Sequence, residues 1–182
     1  MKLGLRGTHR LAVSLLLATV ALVIPTAPGT AQDGRITLTS KTSFAKVAEA
    51  LETAIADQNM ALVCHANAQR GAAARGVKLA GNQVFMVFRN DFAVRIITAA
   101  QEAGFEAPIR IYLSENSDGT ATLTYIKPSA VFRPYAQPEV GKVAAELDPI
   151  FEKIVAQALS APPSHCRGSD FRSSPSRCWQ FE

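Results

Sequence analysis

The segment Asn116-Ser-Asp-Gly119 constrains this chain more than any other four residues. Asp-Gly accepts positive φ at little cost, which a tight reversal between twisted strands requires. Before it, Ile109, Ile111 and Leu113 alternate with Arg110 and Tyr112. After it, residues 120–127 form a returning strand that stops at Pro128, because proline cannot continue an internal ladder. An antiparallel hairpin is therefore written into the middle of the sequence.

The other elements fall on either side of it. Arg35-Ile-Thr-Leu-Thr39 alternates and is rich in β-branched residues, as a half-buried strand should be. Ser40 to Ser43 can cap a helix whose apolar stripe is Phe44, Val47, Ala48, Leu51, Ala54 and Ile55, with Lys46, Glu49, Glu52 and Asp57 opposite. Met60 to His65 reads as a buried strand, and residues 66–76, rich in alanine, as a short helix before a loop at Ala80-Gly81-Asn82. The uninterrupted run Val84-Phe-Met-Val-Phe88 predicts a central strand covered on both faces. Asn90 or Asp91 is expected to cap the following helix, and Gly104 to end it in the left-handed conformation. A last helix buries Val140, Val143, Leu147, Ile150, Phe151 and Ile154; Asp148-Pro149 makes it either one kinked helix or two abutting ones. The expected fold is α+β: a single domain with a mainly antiparallel sheet and helices packed on one face.

Composition matters chiefly through its distribution. Of 19 bases and 15 acids, Lys2, Arg6 and Arg10 lie in residues 1–31 with no acid, and Arg167, Arg172 and Arg177 face Asp170 and Glu182 in the last 21 residues. The middle keeps 13 of each sign and is formally neutral, so the cationic surface that nucleic-acid binding demands is absent. The basic start precedes a 14-residue uncharged run, Leu11 to Ile24, too short for a bilayer span of about 20 residues. Pro25 and then Gly29-Thr30-Ala31 complete a secretory signal, with cleavage expected after Ala31 and Ala27 as the alternative. Residues 1–31 are thus read as signal peptide, 32–160 as the α+β domain, and 161–182 as a polar tail expected to be disordered. The mature protein would be periplasmic or secreted, with no stable membrane anchor.

Taken in order, Ser43-Phe44 opening a helix to Ile55, the strand Ala61-Leu-Val-Cys-His65 with its alanine-rich sequel, Val84-Phe-Met-Val-Phe-Arg-Asn90, and the pair Ile109-Arg-Ile-Tyr-Leu113 and Thr122-Leu-Thr-Tyr125 around Asp118-Gly119, closed by Pro128, resemble a known family. It is the one catalogued as domain of unknown function 302, over about residues 40–132. The resemblance implies a β-α-β(4)-α sheet-and-helix fold, often dimeric, in bacterial and frequently exported proteins, and no established reaction. Where the family often reads Gly-Asn-Pro, this chain has Arg89-Asn90-Asp91, so a family-wide ligand does not transfer there.

Chemistry-bearing residues are few. Cys64 and His65 are neighbours on a strand and point to opposite faces unless a bulge intervenes, which makes them a poor nucleophile–base pair. Cys64 shares parity with Leu62 and Met60 and reads as a core residue; a reactive thiol is its alternative role. His65 alone cannot make a metal site, and no cofactor motif is present. Tyr112 and Tyr125 lie on paired strands and could stack, or one hydroxyl could reach a cleft. Cys166 and Cys178 are expected to pair as a disulfide, leaving Cys64 the odd cysteine; pairing between subunits or with Cys64 are the alternatives. The leading functional expectation is a small exported domain that binds a ligand or a protein partner near His65, Asn90 and Tyr125, and is not a catalyst. Two alternatives stand beside it: a thiol or redox accessory protein using Cys64 with His65, and a structural homodimerisation module.

Overall fold

The computed structural model describes residues 34–160. The expected signal peptide and cleavage site, the polar tail, and Cys166 and Cys178 lie outside the described residues. Five strands and five helices make up the described residues. Strand β1 (Arg35–Ser43) runs directly into helix α1 (Phe44–Asp57), followed by β2 (Ala61–Asn67) and the short α2 (Ala68–Ala73). Strand β3 (Asn82–Phe88) leads to α3 (Asn90–Ala99) and a 3-10 turn at Gln101–Glu106, then to the hairpin of β4 (Ile109–Glu115) and β5 (Thr120–Ile126). A four-residue helix α4 (Pro128–Val131) precedes the long α5 (Pro138–Leu159).

The sheet is antiparallel throughout, in the order β1-β5-β4-β3-β2. Gly119 sits at φ +79° in the hairpin, the conformation that the Asp-Gly pair anticipates. Burial alternates strictly along β3, β4 and β5, so Phe85, Val87, Ile111, Leu113, Leu123 and Tyr125 face one side. Those residues join the buried stripes of α1 and α5 in one core. The outer side carries Thr37, Thr39, Thr122 and Thr124, whose hydroxyls pair across β1 and β5.

Two local devices set the position of β2. Asn59, at φ +54°, ends α1: its N–H donates to the Ala56 carbonyl while the Met60 N–H donates to that of Ile55. This double closure uses up the orphan carbonyls of the last turn and reverses the chain at once. Then the β2–β3 register slips between Leu62, opposite Val87, and Cys64, opposite Met86. Val63 is the extra residue, a bulge on an edge strand, where bulges are most easily accommodated.

Several sequence expectations are corrected. The run 84–88 is an interior strand, but only Phe85 and Val87 are buried; Val84, Met86 and Phe88 on the outer side are half-buried. The N-cap of α3 is Arg89, whose carbonyl receives the Ala93 N–H, so Asn90 and Asp91 stand inside the first turn. That helix ends at Ala100 in extended geometry, and Gly104 belongs to the 3-10 turn without positive φ. Tyr112 and Tyr125 point to opposite faces and do not stack; Tyr112 pairs in register with Thr124. Helix α5 is one element passing through Pro149, with its own Leu147, Phe151, Ile154 and Val155 buried on one face. Burial of that face outweighs the one backbone bond that proline forfeits.

Candidate functional site

A cleft of about 680 Å³ opens between the first half of α1 and the β2–β3 edge. Such a volume falls in the range of small-molecule sites. Phe44, Ala45, Ala48, Glu49 and Glu52 of α1 form one wall; His65, Asn67 and Gln83 of the sheet form the floor, with Arg70 of α2 and Glu115 of β4 at the margins.

His65 is the best-anchored of these. Its place opposite Phe85 stacks the two rings at 4.3 Å between centroids and 22° between planes. Its Nδ1 lies 3.3 Å from Glu52 Oε1, and its Nε2 3.0 Å from Gln83 Oε1. Both neighbours are oxygens, so a ring protonated at both nitrogens donates to both. A singly protonated ring keeps the second contact only if the Gln83 amide turns over. Either way neither nitrogen points at the cleft without a protein partner. The arrangement fixes a flat polar surface and leaves no lone pair for proton abstraction from a bound molecule.

The remaining polar groups divide into structural and open ones. Glu115 Oε2 accepts from the Gly81 N–H at 2.6 Å, tying the loop before β3 to the hairpin. Asn67 Oδ1 caps α2 through the Arg70 N–H at 2.9 Å. Glu49 makes no ion pair among the described residues, and Glu52 is 40% exposed beside His65. The cleft therefore offers carboxylate acceptors on one wall and amide and guanidinium donors on the other. No group of three or more potential metal ligands occurs among the described residues, and no helix among them is long and apolar enough to cross a membrane.

The three ligand-binding candidates named from sequence do not converge. His65 lines the cleft; Asn90 and Tyr125 do not. Tyr125 shares the cross-sheet row Tyr125–Ile111–Phe85–His65, three strand spacings or about 14 Å away. It is 4% exposed, lies beside Phe151 at 6.1 Å, and burial pushes its phenol above the usual range. Asn90 is exposed at the far end of β3. There Arg89 folds over the Phe92 ring at 3.9 Å and donates to Asp91 at 2.8 Å, which holds the Asp91 carboxyl below its ordinary value. The Arg-Asn-Asp turn is thus closed on itself. Glu52 and Gln83, missed from sequence, are the residues that hold His65. Their only sequence signal was membership of a polar helix face and of a strand end.

Cys64 is 5% exposed but does not join the main core. The bulge places it on the outer side with Met86, opposite to the side its parity with Leu62 predicts. There its side chain is turned away from His65 and from the cleft.

A five-stranded antiparallel sheet with its two long helices on one side and a polar cleft at one edge defines a small α+β sheet-and-helix domain. The chain belongs to the family described as "Domain of unknown function DUF302", whose model matches residues 36–158. That span exceeds the 40–132 of the sequence resemblance and takes in most of α5. Among solved structures, the crystal structure of an uncharacterized conserved protein DUF302 from Bacillus stearothermophilus is similar, with a TM-score of 0.61 at 14% identity. The alignment covers 69% of this chain and 98% of that one, and at such identity it speaks for the fold alone. No curated protein matches.

Proposed function

We propose that this protein is an exported domain that binds a small polar ligand in the α1–β2–β3 cleft and does not transform it. One observation carries the reading: His65 is stacked on Phe85 and bonded at both nitrogens by Glu52 and Gln83, a rigid binding surface with its proton-transfer sites already taken. The carboxylates of Glu49 and Glu52 favour a ligand that presents hydrogen-bond donors. Export is supported by the basic start, the uncharged run and the Gly29-Thr30-Ala31 site. A thiol-based reading has little support, because Cys64 is buried and faces away from His65.

The test is thermal shift with donor-bearing probes (ethanolamine, acetamide, glycerol) against acetate. A donor probe should raise Tm with concentration, as mass action requires. The shift should vanish in Glu52→Gln and His65→Ala and survive in His65→Phe, which keeps the stack. A flat response to every probe, or a shift indifferent to these substitutions, would refute cleft binding.

A further inference from the structure

His65 has an acceptor on each side, and only one arrangement of protons satisfies both. Nδ1 lies 3.3 Å from Glu52 Oε1 and Nε2 3.0 Å from Gln83 Oε1, so the ring donates twice when it is the imidazolium. When it gives up one proton, the two sides compete for the proton that remains. The carboxylate is the stronger acceptor, since hydrogen bonds to an ionised group are about twice as strong as neutral ones. A ring lone pair turned toward Glu52 would also be repelled by it. The proton therefore stays on Nδ1, and Nε2 becomes an acceptor that faces a carbonyl oxygen.

Gln83 can relieve that clash with no movement of the backbone. The last side-chain torsion of glutamine is broad and roughly two-fold, so half a turn exchanges its amide oxygen and nitrogen in place. After the turn, Gln83 Nε2 donates to His65 Nε2. The Gln83 side chain is only 9% exposed, lies two residues before Phe85 on the same side of β3, and lines the cleft. A buried polar group must find a partner at each end. The end turned away from His65 is thus the one that a bound molecule meets.

We propose that His65 and Gln83 form a proton-driven switch in the cleft. With the ring doubly protonated, the amide presents N–H donors to a ligand; with the ring neutral, it presents a carbonyl acceptor. The switch regulates the cleft of the proposed function and rests on that reading for its ligand. The charged groups that face the cleft with His65 are Glu49 and Glu52 on α1, Arg70 on α2 and Glu115 on β4. Histidine is the residue type among them whose charge ordinarily changes between about pH 5 and 8. Raising the pH removes a positive charge and adds an acceptor in one step. Both changes favour a cationic, donor-bearing ligand, and lowering the pH favours one that accepts.

Nuclear magnetic resonance reads the switch with no ligand present. The His65 ring nitrogens and the Gln83 side-chain amide of the isotope-labelled full chain are followed from about pH 5 to about pH 8. Loss of the amide signals in Gln83→Met assigns them. Nε2 should lose its proton while Nδ1 keeps it, and a nitrogen–nitrogen coupling across the bond from Gln83 Nε2 to His65 Nε2 should appear at the same midpoint. In Glu52→Gln the neutral ring should no longer hold its proton on Nδ1 alone. Loss of the Nδ1 proton in the unaltered chain, or no such coupling at high pH, would overturn the switch. Thermal shift adds the ligand side. N,N-dimethylacetamide, which only accepts, should raise Tm more at about pH 5, and methylammonium, which only donates, more at about pH 8. Equal responses at both pH values would also overturn the switch. The coupling present with no response to either probe would uphold the switch and count against the cleft as a ligand site.

Discussion

Replacing Phe85 by alanine tests the sheet register and the candidate site together. The ring is fully buried, between Ile111 on β4 and the stacked His65 on β2. Truncation removes on the order of 150 Å² of buried apolar surface, and at about 25 cal/mol per Å² that is nearly 4 kcal/mol. Large-to-small changes at sites that cannot collapse cost about 3–5 kcal/mol, which agrees. Denaturant titration followed by circular dichroism gives the loss as a lower midpoint at unchanged slope. Phe85→Leu, which keeps most of the volume, should cost about 1.5 kcal/mol or less. A cycle of Phe85→Leu with His65→Ala should then show coupling of about 0.5–1.5 kcal/mol, the usual worth of a stacked pair beyond its area. A loss below about 1 kcal/mol for Phe85→Ala would put the ring at the surface. Additivity in the cycle would mean that the stack does not anchor His65.

Three further outcomes follow from particular contacts. Arg95 of α3 holds Glu139 and Glu146 of α5, each at 2.6 Å, and the guanidinium pulls the Glu146 carboxyl below its ordinary value. A carboxyl depressed in the folded state adds stability above its unfolded pKa and loses it as pH falls through the folded one. Glu146→Gln should therefore lower Tm at pH 7 and converge with wild type well below about pH 4, the unperturbed range; a constant gap down to pH 2 would discount the pair. A Cβ on Gly81 would overlap the Phe44 ring, so Gly81→Ala should cost about 1–3 kcal/mol through overpacking, with a neutral melt as the contrary result. Intact mass of exported material should begin at Gln32, and retention of Lys2 through Ala31 would end the export reading.

What could be read from residues alone was whatever repeats locally. The hairpin at Asn116–Gly119, the α1 stripe from Phe44 to Ile55 and the alternation of β4 follow from backbone periods and turn chemistry, which a few neighbouring residues determine. The α+β class and the antiparallel sheet followed from their order. The opposite facing of Cys64 and His65 was legible for the same reason. Which face each took was not. One bulge residue, Val63, shifts the strand by one position, and nothing in its own sequence marks the slip. It arises from pairing with β3, a partner some twenty residues away. The cleft depends on still longer separations: His65 is held by Glu52, thirteen residues before it, and by Gln83, eighteen after it. Asn90 and Tyr125 looked equally suited as polar groups near strand ends, yet one sits at the far end of β3 and the other lies under α5. Helix stripes and strand alternation are decided within a turn or a pleat, whereas a site is decided by which elements are brought to the same edge. Only the folded chain makes that choice.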